Sequence, residues 1–286
     1  MSINDFKLST PAIDSVAYLG PAGTFTHAAA RELFGRSVRF VEAGTIQGVF
    51  EAVIRSHAAE GVVPIENSTE GSVTEAVDAL IDGDLLIRRE LVMRIDQCLL
   101  STAVKLGEIR RVYSHPQALA QCRRWLATHL GDAQVVSTPS TSAAARDALV
   151  NPESAAIGSR LAAEVYALPV LREGIQDLSN NVTRFVALAT EDAPRTGDDK
   201  TTLTFAVRDA RGALLRVLEV FDRHDINLTR IESRPSRQKA WDYVFLADLE
   251  GHRDDDNVRQ ATAILVERCP MLKHLGSYPR AVGPFD

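Results

Sequence analysis

Two hydrophobic rhythms meet at Thr190-Glu191-Asp192-Ala193-Pro194-Arg195-Thr196-Gly197-Asp198-Asp199, and one packed unit cannot satisfy both. This polar stretch carries proline and glycine, so it reads as a linker over 191–199 between domains at 14–190 and 200–280. Upstream, short apolar runs alternate with helical patterns. Val16-Ala17-Tyr18-Leu19 precedes a helix over about 26–33, and Gly61-Val62-Val63-Pro64-Ile65 precedes one through Val73, Val77 and Leu80. Arg111-Val112-Tyr113 leads to a helix through Leu119, Cys122, Leu126 and Leu130. Val135-Val136 leads to one through Ala144, Ala148 and Leu149, and Ala155-Ala156-Ile157 to one through Leu161 and Val165. Such alternation predicts an α/β architecture with largely parallel sheets, whose ligands bind beyond the carboxyl ends of the strands.

Downstream, Thr201, Leu203, Phe205 and Val207 follow the period of two of a strand. Leu214, Val217, Leu218 and Phe221 then give the i, i+3, i+4, i+7 pattern of an amphipathic helix. Strands over 228–233 and 241–249, a helix over 258–266 and a strand over 272–278 complete the order βαββαβ, a ferredoxin-like split unit.

A formal charge of −6 with no basic stripe speaks against a nucleic-acid partner. No run of about 18 apolar residues suggests a membrane span. Met1-Ser2-Ile3-Asn4-Asp5 lacks the basic-then-apolar pattern of a signal peptide, so the cytoplasm is expected. Cys98, Cys122 and Cys269 are odd in number and scattered, which implies no disulfide framework. The seven histidines show no metal-ligand spacing, and no metal is expected. Gly20 to Thr24 lacks both the ending of a P-loop and the spaced glycines of a dinucleotide fingerprint.

The strand-to-helix turns share one chemistry. Gly20 to Thr26, Asn67-Ser68-Thr69 with Ser72 and Glu75 at capping-box spacing, Ser114 or His115 before Pro116, Ser140-Thr141-Ser142 and Ser159 all suit helix starts. Each alone is plain capping. Several converging on one cleft would bring free amides and partial positive charge to a dicarboxylate with few lysines. Asn181-Val182-Thr183-Arg184-Phe185 adds a hydroxyl donor and a cation at the mouth of the buried run 186–189, a pairing that suits an anionic substrate losing a neutral group. Without context, Thr183 would more often be a β-former with a locally satisfied hydroxyl, and Arg184 a surface group. His115 is the competing proton donor, and Glu66 suits a structural or arginine-paired role.

Gly20-Pro21-Ala22-Gly23-Thr24-Phe25, Pro64-Ile65-Glu66-Asn67-Ser68, Ser114-His115-Pro116-Gln117-Ala118 and Asn181 to Phe185 together resemble prephenate dehydratase; Thr26 stands where serine is more usual. Glu232-Ser233-Arg234-Pro235 and Gly212-Ala213-Leu214 resemble an ACT regulatory domain. The resemblance implies a two-lobed catalytic domain like periplasmic binding proteins, crossed near 96–100 and 179–185, followed by the ferredoxin-like ACT domain. It assigns Thr183 and Arg184 to catalysis, and Thr24, Asn67, Ser68, Ser114, His115, Gln117 and Phe185 to substrate. The substrate would be prephenate, with arogenate the nearest rival, and the reaction would need no cofactor. Phenylalanine would bind at a dimeric ACT interface through Gly212, Ala213, Leu214, Asn227, Leu228, Glu232 and Ser233. Glu232→Ala would then weaken its effect while sparing basal activity. A homodimer or homotetramer is implied. The fifteen residues ahead of Val16 are shorter than the chorismate mutase domain sometimes fused to such enzymes, so a monofunctional dehydratase is expected. A ligand-binding sensor is the alternative outside enzymes, since fold alone does not establish catalysis.

Overall fold

A computed structural model describes residues 13–235 and 243–283. The first lobe contains β1 (Ser15–Leu19), α1 (Phe25–Phe34), β2 (Arg39–Ala43), α2 (Ile46–Ile54), β3 (Glu60–Asn67), β4 (Gly71–Ser72), α3 (Thr74–Asp82) and β5 (Leu86–Arg94). The second contains β6 (Cys98–Leu100), β7 (Arg111–Ser114), α4 (Pro116–Gln121), α5 (Arg123–His129), β8 (Gln134–Ser137), α6 (Thr141–Leu149), β9 (Ser154–Gly158), α7 (Arg160–Tyr166) and β10 (Val170–Arg172). Strand β11 (Val182–Ala189) returns to the first sheet. The carboxy-terminal unit follows as β12 (Asp199–Ala206), α8 (Ala213–Arg223), β13 (Leu228–Pro235), β14 (Tyr243–Glu250), α9 (Asp256–Arg268) and β15 (Met271–Pro279). No helix among the described residues is long and apolar enough to cross a membrane.

The sheets run β2-β1-β3-β11-β5 with β4 beside β3, β10-β6-β9-β7-β8, and β13-β14-β12-β15. The expectation of largely parallel sheets needs correcting. β1 pairs in parallel with β2 and β3, but β11 is antiparallel to both β3 and β5. The second sheet is divided likewise, with β6 antiparallel to β9 and β10. The strands next to the two links between the lobes, β11 and β6, are the ones that run against their neighbours.

Three further expectations shift. The helix through Leu119 to Leu130 is broken at Cys122, whose φ of −111° and ψ of 12° leave the helical range. The Ser72–Glu75 capping box does not form: Val73 is the N-cap of α3, and the Ser72 hydroxyl bonds instead to Glu232 and Arg230. The strand expected from Trp241 is described from Tyr243, Trp241 itself lying outside the described residues.

The core of the first lobe does not stop at its own surface. Val77, Leu80, Ile87, Val186 and Leu188 share one buried cluster with Leu246, Leu275 and Tyr278 of the third sheet. Where β15 crosses β5, a Cβ on Gly276 would lie 2.2 Å from the Ile87 carbonyl oxygen, so the two backbones touch. The segment between the units is also tied down. Arg88 donates to the carbonyls of Glu191 (3.3 Å) and Asp192 (3.2 Å). The Asp192 carboxylate accepts the Ser277 amide at 2.8 Å and meets His274 at 3.0 Å and Arg253 at 2.8 Å.

Burial would raise the pKa of Asp192, but His274, the Ser277 amide and Arg253 outweigh it and pull the value down to about 2 from 3.8. A carboxyl depressed in the folded state stabilises the fold above its unfolded pKa and loses that contribution as pH falls through the folded one. Melting temperatures should therefore drop between about pH 4 and pH 2, and Asp192→Asn should flatten part of that drop in a series of thermal scans.

Candidate active site

The site grows from one rung of the β3–β11 ladder, where Thr183 lies opposite Asn67. Side chains alternate across a strand, so Thr183 and Phe185 face the gap between the lobes while Arg184 faces away. A cavity of about 490 Å³ fills that gap. The first lobe and β11 contribute Thr24, Asn67, Ser72, Thr183 and Phe185; the second lobe contributes His115, Gln117, Ser140 and Thr141.

Thr183 is 8% exposed, and its Oγ1 accepts a hydrogen bond from Asn67 Nδ2 at 2.8 Å. Asn67 cannot turn its amide over. Its Oδ1 accepts from the Thr69 amide (2.9 Å), the Thr69 hydroxyl (2.6 Å) and the Glu70 amide (3.2 Å). Its second amide hydrogen faces Asn181 Oδ1 at 2.8 Å. A hydroxyl has one hydrogen to donate. Since Thr183 acts as acceptor towards Asn67, that hydrogen is left for whatever occupies the cavity.

Helices α1, α2 and α6 begin at the cavity wall, at Thr24 to Thr26, Ile46, and Ser140 with Thr141. Thr24 caps α1 by accepting the His27 amide at 3.3 Å, and Ser140 caps α6 by accepting the Ala143 amide at 3.0 Å. His115 caps α4, its Nδ1 accepting the Gln117 amide at 3.3 Å. Among the described residues lining the cavity there is no lysine or arginine, and Glu70 is the one carboxylate. Arg123 and Arg124 line an adjoining groove that shares Glu70, Gln117 and Gln121 with it.

Thr24, Asn67, His115, Gln117, Thr183 and Phe185 thus meet at one cavity. Three other expected residues do not line it. Arg184 is on the opposite face of β11, where its guanidinium donates to Glu90 (2.8 Å), Asp248 (2.5 Å) and the Tyr278 hydroxyl (2.7 Å). Ser114 is fully buried, and its hydroxyl donates to the Ile157 carbonyl at 2.7 Å. Ser68 staples the end of β3 to β11, accepting the Val182 amide (3.0 Å) and donating to the Asn180 carbonyl (3.2 Å). Gln97, at the crossing between lobes, lines the cavity with its buried Oε1 unpaired among the described residues. Nothing in the local pattern around Gln97 signals this.

The carboxy-terminal candidates also divide. Gly212, at φ 72°, opens α8 with Ala213 and Leu214, and Asn227 accepts the Glu250 amide through its carbonyl at 3.0 Å. Leu228 and Ser233 pair opposite Leu249 and Phe245, on the helix-covered face of the sheet. Glu232 pairs opposite Leu246 and turns to the other face, against Ser72 of the catalytic lobe. The Glu232 and Ser233 side chains therefore point to opposite faces of the sheet, as adjacent strand residues do.

The fold and cavity define a two-lobed cleft protein for a small polar ligand, with a ferredoxin-like sheet docked behind the cleft. Prephenate dehydratase is the family matched over residues 16–193, and the ACT domain is matched over 201–267. The bifunctional chorismate mutase/prephenate dehydratase of Aquifex aeolicus is 47% identical over 267 residues, covering 93% of this chain and 74% of that protein. The crystal structure of prephenate dehydratase from Arthrobacter aurescens in complex with L-Phe is 38% identical, with a TM-score of 0.85 over 93% of this chain and 90% of that one. GqqA, described as a novel type of quorum quenching acylase, is 30% identical, with a TM-score of 0.84 over 95% and 99% of the two chains. The chain belongs to the prephenate dehydratase family.

Proposed function

We infer that this chain is a prephenate dehydratase in which Thr183 assists the departing ring hydroxyl, on the strength of one observation: Thr183 lines the cavity with its Oγ1 held as an acceptor by Asn67, so its own hydrogen is free to donate. In the reaction the bond from ring carbon to ring carboxylate breaks and releases carbon dioxide. That electron pair completes the aromatic ring as the ring C–O bond breaks, and the leaving hydroxide takes up one proton to become water. Prephenate dianion plus a proton thus gives phenylpyruvate, carbon dioxide and water. Aromatisation drives the change. The protein needs to hold the diene and place a donor at the departing oxygen, a contribution of about 100- to 10,000-fold in rate for general acid help.

The uncharged lining of the cavity fits that task. A strong cation beside the ring carboxylate would stabilise it and slow its loss, whereas Phe185, Leu19, Ile46 and Ile95 give an apolar wall for it. The starts of α1 and α6 suit the carboxylate that remains, since helix N-termini favour anions without a full charge. Gln117 and His115 would orient substrate from the opposite lobe. An acylase would instead need Thr183 or another group activated by a base. Among the described residues, the hydrogen-bond partner of Thr183 Oγ1 is the Asn67 amide, which cannot take its proton.

Residues 14–190 would form the catalytic unit and 200–280 the regulatory one, in a cytoplasmic homodimer or homotetramer. Phenylalanine is the expected effector, supported by the L-Phe complex of the Arthrobacter aurescens relative. It would bind near Gly212, Ala213, Leu214, Asn227, Leu228 and Ser233. Turnover of prephenate and arogenate, measured side by side with the purified protein, tests the substrate. Prephenate should be the better of the two, giving phenylpyruvate without added metal or cofactor, and no turnover of either would overturn the reading.

A further inference from the structure

The rung that carries the chemistry has a second face. Next to the Thr183–Asn67 pair in the ladder lies the Arg184–Glu66 pair, and by strand alternation these two side chains turn away from the cavity. Both are gripped there by the ACT domain. Arg184 donates to Asp248 at 2.5 Å and to the Tyr278 hydroxyl at 2.7 Å. Glu66 faces Arg230 Nε at 3.6 Å. Arg230 also bonds Ser72 and Glu232, and Ser72 pairs with Glu66 in β4 while lining the cavity rim.

The grip on Arg184 is tight and dry, whereas Glu66 is held more loosely, its side chain 37% exposed. The Arg184, Glu90 and Asp248 side chains are 10%, 0% and 2% exposed. Glu90 is itself claimed from the ACT side, accepting Lys200 Nζ at 2.8 Å and the Ala281 amide at 2.9 Å. Asp248 further accepts the Thr202 hydroxyl at 2.6 Å. Thr183 and Arg184 are bonded neighbours, so a guanidinium held at three points restrains the strand segment that carries the Thr183 hydroxyl.

We propose that Asp248 and Arg230, both in the ACT domain, are positioning residues for the dehydration, holding Thr183 and Asn67 in register through Arg184 and Glu66. This rests on the reading of Thr183 as the donor to the departing hydroxyl. The strand pleat is the transmission: cavity on one face, regulatory sheet on the other. Movement of β13 and β14 by an effector would reach the Thr183–Asn67 pair without passing through the cavity. It also revises the expectation that Glu232→Ala spares basal activity, because Glu232 bonds both Arg230 and Ser72.

The test is a double-mutant cycle on the full chain with no effector present. Asp248→Asn should lower kcat about 10- to 100-fold, the cost of a small misplacement of a catalytic group, and leave KM within about twofold, since the groups that bind substrate are untouched. In a Thr183→Ala background the same change should cost less than about threefold, because no hydroxyl remains to misplace. General damage to the protein would lower both backgrounds equally. Equal losses, or no loss in the wild-type background, overturn the proposal. Arg230→Gln, read in the same two backgrounds, gives the second limb and stands in if Asp248→Asn does not fold. Wild-type turnover in Thr183→Ala itself would instead sink the donor role of Thr183, so the two failures are distinguishable.

Discussion

Thr183→Ala is expected to reduce kcat for prephenate by about 100- to 10,000-fold, the range for removing a general acid, with KM little changed. The Thr183 hydroxyl accepts the Asn67 amide at 2.8 Å and so keeps its own hydrogen to donate, and the substitution takes that donor away. A preorganised donor can contribute about 3–4 kcal/mol to a transition state because no reorientation is needed at the moment of reaction. Thr183→Ser should retain more turnover, since the hydroxyl survives and only the methyl that limits its rotation is lost. Phenylpyruvate formation measured at saturating prephenate checks both. Turnover of Thr183→Ala within about threefold of the wild type would be far outside the expected range and would remove Thr183 from the mechanism.

Gly276→Ala should damage the protein more broadly. A Cβ at this position would lie 2.2 Å from the Ile87 carbonyl oxygen and 2.6 Å from its nitrogen, and both are backbone atoms that cannot swing aside. The glycine also adopts φ 140°, a conformation that disfavours any side chain. Overpacking and backbone strain each cost about 1–3 kcal/mol, so a combined loss of about 2–6 kcal/mol is expected. Urea or thermal melting should show it, and kcat should fall alongside, because the β15–β5 contact lies in the same interface as Arg184 and Tyr278. Gly44→Ala is the control: its added Cβ meets nothing within 4 Å, and it should be nearly neutral.

Much of this was legible in the chain. The apolar runs of β1, β3 and β9 and the helical spacing of α8 announce themselves, as does the βαββαβ order. Thr24, His115 and Gln117 meet at one cavity because turns after strands in an α/β sheet open to the same side, and Asn67, Thr183 and Phe185 reach it from β3 and β11. Direction was harder. Arg184 follows Thr183, so the period of two already implies that their side chains face opposite ways, and the guanidinium meets Glu90, Asp248 and Tyr278 instead of the cavity. Glu232 and Ser233 are likewise adjacent, and their side chains take opposite faces of the sheet. Ser114 and Ser68 look like other cleft serines in sequence, and only their long-range partners, Ile157 and Asn180 with Val182, show them to be structural. Strand β5 shows no clear strand pattern because Arg88, Arg89 and Glu90 interrupt its apolar residues, their charges being paired with Glu60 and Arg184 far along the chain. Helix α2 carries a plain signal, since Ile46, Val49, Phe50 and Val53 have helical spacing behind a capping Thr45.

Leu246, Leu275 and Tyr278 belong to the same apolar cluster as Val77, Leu80 and Ile87. A seam of that kind makes the chain a poor candidate for modular exchange. Grafting the regulatory half of a relative after residue 199 would set foreign contours against an unaltered lobe, so the two surfaces must be inherited as a matched set. Over generations, substitutions along the join should be retained in complementary pairs.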